Sequence, residues 1–276
     1  MIEILSKGVN ASGARVALFD FDGTLSTIRS GWIDVMVPMM VELLLECKTG
    51  ETEAELKAIV EEYVGRLTGK QTMYQMIELA ENIEKRGGSP QDPLIYKRMY
   101  LDRLWVRIEH RVKELAEGKA SPEKYLVPGS RALLEALKER GFKLYLASGT
   151  DEVYMKEEAR LLDVTRYFDG GVYGALDDFK SFSKAILIQR IISSAEFAGH
   201  EFLGFGDGYV EIENVKQVGG VTVGVASDEP ECLKIDAWKR DRLVSVGADV
   251  IVPNYLELDE LFNTIFPVAK PSLATT

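Results

Sequence analysis

The sequence is poor in several residue types that mark particular classes of protein. It contains only two cysteines and two histidines among 276 residues, and Cys47 and Cys232 lie too far apart for the short spacings of a zinc site. We expect both cysteines to be reduced thiols of a cytoplasmic protein. Positive charge is also scarce, since 33 Lys and Arg face 44 Asp and Glu and the net charge is −11. This balance disfavours nucleic acid and anionic membranes as partners.

Long apolar runs are missing as well. The most apolar segment, residues 32–47, is interrupted by Asp34, Pro38 and Glu42, and it is shorter than the roughly 20 apolar residues that a membrane-spanning helix needs. The first 14 residues lack the basic and apolar stretches of a signal peptide. We therefore expect a cytoplasmic location and no membrane partner. What the chain does contain, 46% hydrophobic and 28% charged residues, is typical of a globular protein.

Two patterns divide the chain. Long amphipathic runs predict four helices between about residues 30 and 120. From residue 125 onward, short apolar segments alternate with amphipathic helices, which predicts a parallel sheet covered on both faces. The predicted strands are residues 142–148, 200–206, 220–226 and 248–253, and residues 15–20 have the same pattern. The helical block is therefore predicted to be inserted into an α/β domain, with residues 29–120 as the inserted domain and residues 1–28 and 121–276 as the core.

Polar side chains follow three of the predicted strands. Because ligands bind beyond the carboxyl ends of strands in an open parallel sheet, these side chains are expected to meet at one edge. A lysine at the start of a helix that Ser183 can cap is expected at the same edge. The residues in question are Asp20 and Asp22 after the first strand, Ser148, Gly149 and Thr150 after the second, Asp207 after the third, and the lysine Lys184.

These residues resemble the four motifs of the haloacid dehalogenase superfamily. "DFDGT" at residues 20–24 is similar to its first motif, Ser148 in "LASGT" to its second, Lys184 to its third, and "GFGDGYVEI" at residues 204–212 to its fourth. The resemblance covers nearly the whole chain beyond the first 14 residues. It implies a Rossmann-like parallel sheet, with the helical insertion in the position of a type 1 cap.

The resemblance also implies a role for each residue. Asp20 would attack phosphorus as the nucleophile, and Asp22 would protonate the leaving group and later deprotonate a water molecule. Asp20, Asp207 and the backbone carbonyl of Asp22 would hold Mg²⁺, a cation that prefers oxygen ligands. The remaining phosphoryl oxygens would be bound by Gly23, Ser148, Gly149 and Lys184.

Several assignments stay open at this stage. An aspartate at a strand end is often only a cap or turn residue, and Lys180 is a rival to Lys184 as the motif lysine. Glu211 stands where the family commonly has aspartate, so it either orients a metal-bound water or binds the metal directly. Arg29, just after the first motif, is expected at the pocket entrance, either as a contact for a substrate anion or in a surface salt bridge.

The acid at position 22 favours hydrolysis of a phosphomonoester, because dehalogenases of this type generally lack it. We therefore expect a Mg²⁺-dependent phosphatase for a small phosphorylated metabolite, with sugar phosphates first and phosphoserine-like acids next. A phosphomutase of the same superfamily is the main alternative, because it uses the same two aspartates. A non-catalytic binding or regulatory domain is a further alternative. The sequence leaves the substrate and the oligomeric state open.

Overall fold

The computed structural model describes residues 2–176, 180–194 and 196–267, and within them one mixed sheet forms the centre of the core. Its strands are β1 (Glu3–Ile4), β2 (Val16–Phe19), β3 (Lys143–Asp151), β4 (Gly171–Ala175), β5 (Phe202–Gly206), β6 (Val221–Val225) and β7 (Val250–Val252). They lie in the order β1-β7-β6-β5-β2-β3-β4. All neighbouring pairs are parallel except β1 with β7.

Four helices lie between β2 and β3 in the chain, as the sequence predicts. They are α1 (Ile33–Leu45), α2 (Glu53–Arg66), α3 (Thr72–Lys85) and α4 (Pro93–Ala116). The helices of the α/β part are α5 (Ser130–Glu139), α6 (Glu152–Leu161), α7 (Lys184–Ser193), α8 (Tyr209–Gln217), α9 (Ala237–Ser245) and α10 (Leu258–Ile265). No helix in these described ranges combines the length and the apolar composition that crossing a bilayer requires.

The centre of the sheet is apolar because helices cover both of its faces. All four residues of β2 are buried, and Phe19 stacks on Phe205 of β5 with ring centroids 4.5 Å apart. Fully burying such a side chain contributes about 1.5–3 kcal/mol relative to leaving it exposed. The two cysteines are free thiols, with Cys232 buried and Cys47 partly buried.

The predicted strands at 15–20, 142–148, 200–206, 220–226 and 248–253 all occur, with shifted ends. The sequence pattern misses the two edge strands. β4 reads "GVYGA", and two glycines in five residues weaken the usual strand pattern. β1 has two residues, which is too short for any alternation of polar and apolar side chains to appear.

Candidate active site

The carboxyl ends of three neighbouring strands bring the candidate residues together. Phe19 of β2 lies opposite Leu146 of β3 on one side and Phe205 of β5 on the other. The Asp20 amide continues this pairing by donating a hydrogen bond of 2.9 Å to the Phe205 carbonyl. The residues that follow these strands therefore meet at one edge of the sheet, as expected from the topology.

Asp20 is buried and is held by Lys184. The Lys184 Nζ lies 2.8 Å from Asp20 Oδ1, and both side chains are at most 7% exposed. Lys184 begins α7, where the Ser183 side chain accepts a hydrogen bond of 3.1 Å from the Ile186 amide and caps the helix. Lys180, the rival candidate, is exposed. The structure thus brings Lys184 to the predicted nucleophile.

Burial raises the pKa of Asp20 to about 6. Lys184 lowers this pKa, while the nearby carboxylate of Asp207 raises it. The carboxylate is therefore costly to ionise in this environment, and Lys184 offsets part of that cost. A desolvated carboxylate close to a cation is suited to attack on an electrophile that carries its own negative charge.

Asp22 lies beside the end of β3. Its Oδ2 accepts hydrogen bonds from Thr150 Oγ1 at 2.7 Å and from Ser148 Oγ at 3.3 Å. Its Oδ1 is buried and accepts no hydrogen bond from any residue that the structure describes. Burial raises the pKa of Asp22 to about 7, with Arg29 opposing the shift. A carboxyl group that exchanges its proton near neutral pH is suited to general acid and base catalysis.

Arg29 lines the site cavity, and its salt bridge is buried rather than on the surface. It is buried, and its Nη2 and Nε lie 2.6 and 3.1 Å from Glu158 Oε1 in a charge-assisted pair. Its Nε also lies 3.9 Å from Asp22 Oδ1. Glu158 is on α6 of the core, more than a hundred residues away in sequence, so no local signal indicated this partner. The side chain lines the site cavity, so a contact of Arg29 with a substrate anion is still open. That contact stays a prediction.

We predict a large stability effect at this buried ion pair. Arg29→Met should lower the free energy of unfolding by about 3–5 kcal/mol, because it leaves the Glu158 charge buried without its partner. Arg29→Met combined with Glu158→Leu should recover most of the loss, since two apolar side chains replace both charges. Urea denaturation measures both changes.

The exposed pair of Arg103 and Glu42 provides the control. Its side chains are 42% and 57% exposed, so Arg103→Met should change the free energy of unfolding by less than about 1 kcal/mol. A double variant at Arg29 and Glu158 that is as unstable as the single variant would show that the two charges do not stabilise the fold as a pair.

Asp207 lies against the backbone of the first motif. A Cβ atom at Gly23, whose φ is +73°, would lie 2.1 Å from Asp207 Oδ2, so only glycine permits this approach. The Asp207 amide also donates a hydrogen bond of 2.9 Å to Thr24 Oγ1. These contacts fix the Asp207 carboxylate next to the peptide that carries the Asp22 carbonyl.

The donors around Asp20 fit a magnesium ion. Asp207 is close enough to raise the pKa of Asp20, and a divalent cation bound by both carboxylates would favour the ionised form of Asp20. Within the described ranges, no three Asp, Glu, His or Cys side chains converge to form a metal-binding cluster. Two carboxylates and one backbone carbonyl are nevertheless a suitable set, because Mg²⁺ usually keeps several of its waters.

Glu211 contacts the motif lysine. It is completely buried on α8 and forms an ion pair with the Lys184 Nζ. A Cβ atom at Gly206 would lie 2.7 Å from Glu211 Oε2, so the side chain fills the space beside the end of β5. The position of Lys184 is therefore set by two carboxylates, those of Asp20 and Glu211. Whether Glu211 also orients a metal-bound water, as expected from the sequence, stays a prediction.

The helical insertion contacts this edge of the sheet directly. A Cβ atom at Gly149 would lie 2.5 Å from the carbonyl oxygen of Lys70, in the segment between α2 and α3. Gln71 Nε2 donates a hydrogen bond to the Phe182 carbonyl. The buried Lys97 of α4 forms an ion pair with Asp151 at the end of β3. These three contacts could not be predicted from local sequence patterns, because each joins segments that are distant in the chain.

A cavity of about 80 Å³ lies between the insertion and the sheet. The core contributes Asp20, Asp22, Ser148 and Asp207, and the insertion contributes Trp32 and Tyr100. Ser148 and Asp20 are buried, and Asp22 is partly buried. The structure thus brings Asp20, Asp22, Ser148, Lys184 and Asp207 to one place together with Thr150, which the sequence also placed at this edge. It adds Glu158 and Tyr100 to their surroundings.

Comparisons with known proteins agree with this arrangement. A family model described as haloacid dehalogenase-like hydrolase matches residues 14–219. A 5'-nucleotidase from Pseudomonas aeruginosa is 29% identical over 123 residues, which are 45% of this chain and 55% of that protein. The match therefore spans about half of that relative's length.

Two solved structures are similar over most of the chain. The β-phosphoglucomutase of Clostridium difficile has a TM-score of 0.60 and 14% identity, with 91% of this chain and 96% of that chain covered. A haloacid dehalogenase-like family hydrolase from Streptococcus pneumoniae has a TM-score of 0.55 and 19% identity, with 91% and 99% covered. These two likenesses confirm the predicted fold class, a parallel α/β core with inserted helices.

Proposed function

The chain belongs to the haloacid dehalogenase-like hydrolases, and we propose that it is a magnesium-dependent phosphomonoesterase for a small phosphorylated metabolite. One observation carries the proposal. Asp20, with its pKa raised and Lys184 at 2.8 Å, lies two residues before an Asp22 whose carboxyl group is held by Thr150. This is a nucleophile next to a proton donor, at the edge of the sheet where ligands bind.

The reaction consists of two displacements at phosphorus. In the first, an oxygen of Asp20 forms a bond to phosphorus while the ester P–O bond breaks, and Asp22 gives its proton to the departing alkoxide. In the second, Asp22 takes a proton from a water molecule as that water attacks the aspartyl phosphate. The bond between phosphorus and Asp20 then breaks, which releases inorganic phosphate and restores both carboxyl groups.

The phosphoryl oxygens are bound by groups of the second and third motifs. Lys184 brings a positive charge that is buried with Asp20, and Ser148 and the Gly149 amide supply hydrogen-bond donors at the end of β3. The Gly23 amide belongs to this proposed set, although it donates a hydrogen bond of 2.8 Å to the Ser26 carbonyl in the structure. Donors fixed in a water-poor site stabilise the charge that develops on the transferring group.

Asp20, Asp207 and the backbone carbonyl of Asp22 would hold the magnesium ion. When bound, the ion would neutralise phosphoryl oxygens and the crowded carboxylates. The chain's own contribution is to fix these donors before substrate arrives. Gly23 allows the close approach of Asp207, and the Thr24 hydroxyl accepts the Asp207 amide hydrogen.

We propose that residues 29–120 act as the cap that selects the substrate. The cavity of about 80 Å³ is small beside the roughly 300–1,000 Å³ typical of ligand pockets. A compact leaving group, such as that of a sugar phosphate or a phosphorylated hydroxy acid, fits this space best. The Pseudomonas aeruginosa relative is a 5'-nucleotidase, so nucleoside monophosphates belong in the same assay. A cytoplasmic location, expected from the sequence, is also part of the proposal.

We predict that activity depends on Mg²⁺. Phosphate release from a panel of sugar phosphates, phosphoserine and nucleoside monophosphates should fall at least about 100-fold in a chelator and return when Mg²⁺ is added back. Ca²⁺ should inhibit, because its larger and looser ligand shell would misplace Asp20. Full activity in the chelator would contradict the proposed metal requirement.

The same assay separates the phosphatase from the phosphomutase alternative. A phosphatase releases inorganic phosphate and free alcohol in equal amounts, whereas a phosphomutase converts the substrate to an isomer with little phosphate released. Analysis of the products by ³¹P NMR distinguishes the two results. If no substrate in the panel reacts by either route, the proposed enzymatic function is contradicted for these substrate classes.

A further inference from the structure

Asp207 has two charged neighbours that the proposed reaction does not use. The Nζ of Lys239 lies 3.0 Å from Asp207 Oδ2 and 2.5 Å from Glu229 Oε1. Lys239 is in the first turn of α9, where the Asp236 side chain accepts its amide hydrogen at 2.8 Å. Glu229 is in the segment that joins β6 to α9. A single ammonium group therefore bridges a candidate metal ligand and a second carboxylate.

The bridge reaches Asp207 from outside the active-site cavity. Asp207 lines the cavity that contains Asp20. Lys239 and Glu229 line a different cavity, of about 660 Å³, between the insertion and the core. Lys239 therefore reaches Asp207 from a different cavity than the one that Asp207 shares with Asp20.

All three charged side chains are largely buried. Their exposed fractions are 11% for Asp207, 14% for Lys239 and 15% for Glu229. Burial alone would lower the pKa of Lys239, but Asp207 and Glu229 together raise it above its ordinary value. A Cβ atom at Gly23 would lie 3.0 Å from Glu229 Oε1 as well as close to Asp207. The first motif thus packs against both carboxylates.

We propose that Lys239 and Glu229 form a charge-neutral pair that orients Asp207 for the metal without cancelling its negative charge. An ammonium group with Asp207 as its sole partner would neutralise the ligand and weaken the attraction for a cation. Because Glu229 supplies a second negative charge at the shorter distance, Asp207 keeps its own charge and gains a fixed orientation. Lys239 and Glu229 are positioning residues, and this inference rests on the proposed function, since it assumes that Asp207 binds Mg²⁺.

The test measures Mg²⁺ binding to the full chain by isothermal titration calorimetry, without substrate. Glu229→Gln should raise the Kd for Mg²⁺ about tenfold, because it leaves the Lys239 charge directed at Asp207 alone. Glu229→Gln combined with Lys239→Met should bind Mg²⁺ more tightly than Glu229→Gln, since the uncompensated charge is gone. Glu231→Gln changes the net charge equally at an exposed position of the same segment and should leave the Kd unchanged.

A purely structural role would give a different pattern, because the double variant would then bind Mg²⁺ as weakly as Glu229→Gln or more weakly. That result, or a Kd for Glu229→Gln equal to that of the wild type, overturns the inference while the proposed function stands. If the wild-type chain binds no Mg²⁺, both fail together. Should Glu229→Gln fold poorly, Glu229→Asp keeps the charge on a shorter side chain and should raise the Kd less than about threefold. A tenfold rise with Glu229→Asp would also contradict a role based on charge.

Discussion

Asp20→Asn is expected to lower kcat by at least about 10⁴-fold, because a neutral amide is a poor nucleophile toward phosphorus. The fold should tolerate this change. Burial raises the pKa of Asp20 to about 6, which means that the ionised carboxylate is less favourable in the folded protein than in water at neutral pH. Lys184 keeps Glu211 as a partner in the variant. The melting temperature should therefore not fall, and thermal denaturation followed by circular dichroism measures it.

Trapping of the covalent intermediate tests the same assignment directly. The wild-type enzyme, quenched in acid during turnover of a labelled substrate, should carry a phosphoryl group that hydroxylamine removes, as expected of an acyl phosphate. Peptide mapping should place it on Asp20, and Asp20→Asn should carry none. Asp241→Asn, at a side chain that is 74% exposed, is the matched control and should retain wild-type activity. A label on Ser148 would show that the nucleophile is wrongly assigned.

The residues of the proposed chemistry could be predicted from the sequence because they follow strands whose ends meet at one edge of the sheet. Asp20, Ser148 and Asp207 each follow a short apolar segment, and parallel strands bring their carboxyl ends to one edge. The position of Lys184 at a helix start with a serine cap indicates that it lies at the same edge. The structure has both the cap and the contact of Lys184 with Asp20. In these cases, a local signal and a general rule of sheet geometry placed the residue near the site, and the contact of Lys184 with Asp20 favoured it over Lys180.

The partners of these residues could not be predicted in the same way. Glu158 lies on one face of α6, and nothing nearby in the sequence distinguishes it from the exposed Glu157. Its importance comes from Arg29, which packs against that face in the folded chain. Lys239 and Glu229 likewise acquire a role only because α9 and the segment before it pack beside Asp207. Ion pairs between distant segments depend on tertiary packing, which local patterns do not encode.

Asp22→Asn is expected to lower kcat about 10³-fold with an alkyl phosphate, since it removes both the proton donor and the later base. The loss should depend on the leaving group. An aryl or acyl phosphate departs without a proton, so formation of the aspartyl phosphate should recover in part with such substrates. Hydrolysis of that intermediate still needs a base, and it should stay slow. Rapid-quench kinetics should therefore show a phosphorylated Asp20 that outlasts the one in the wild type.

Thr150→Val provides a companion variant for this experiment, because it removes the hydrogen bond of 2.7 Å to Asp22 Oδ2 and keeps the carboxyl group itself. Its effect on kcat should be smaller than that of Asp22→Asn, since the proton donor remains present but is less well oriented. With an acyl phosphate, the phosphorylated enzyme should accumulate in Asp22→Asn far more than in Thr150→Val. Equal losses for alkyl and acyl phosphates in Asp22→Asn would mean that Asp22 carries no proton in the first step, and its raised pKa would then reflect burial alone.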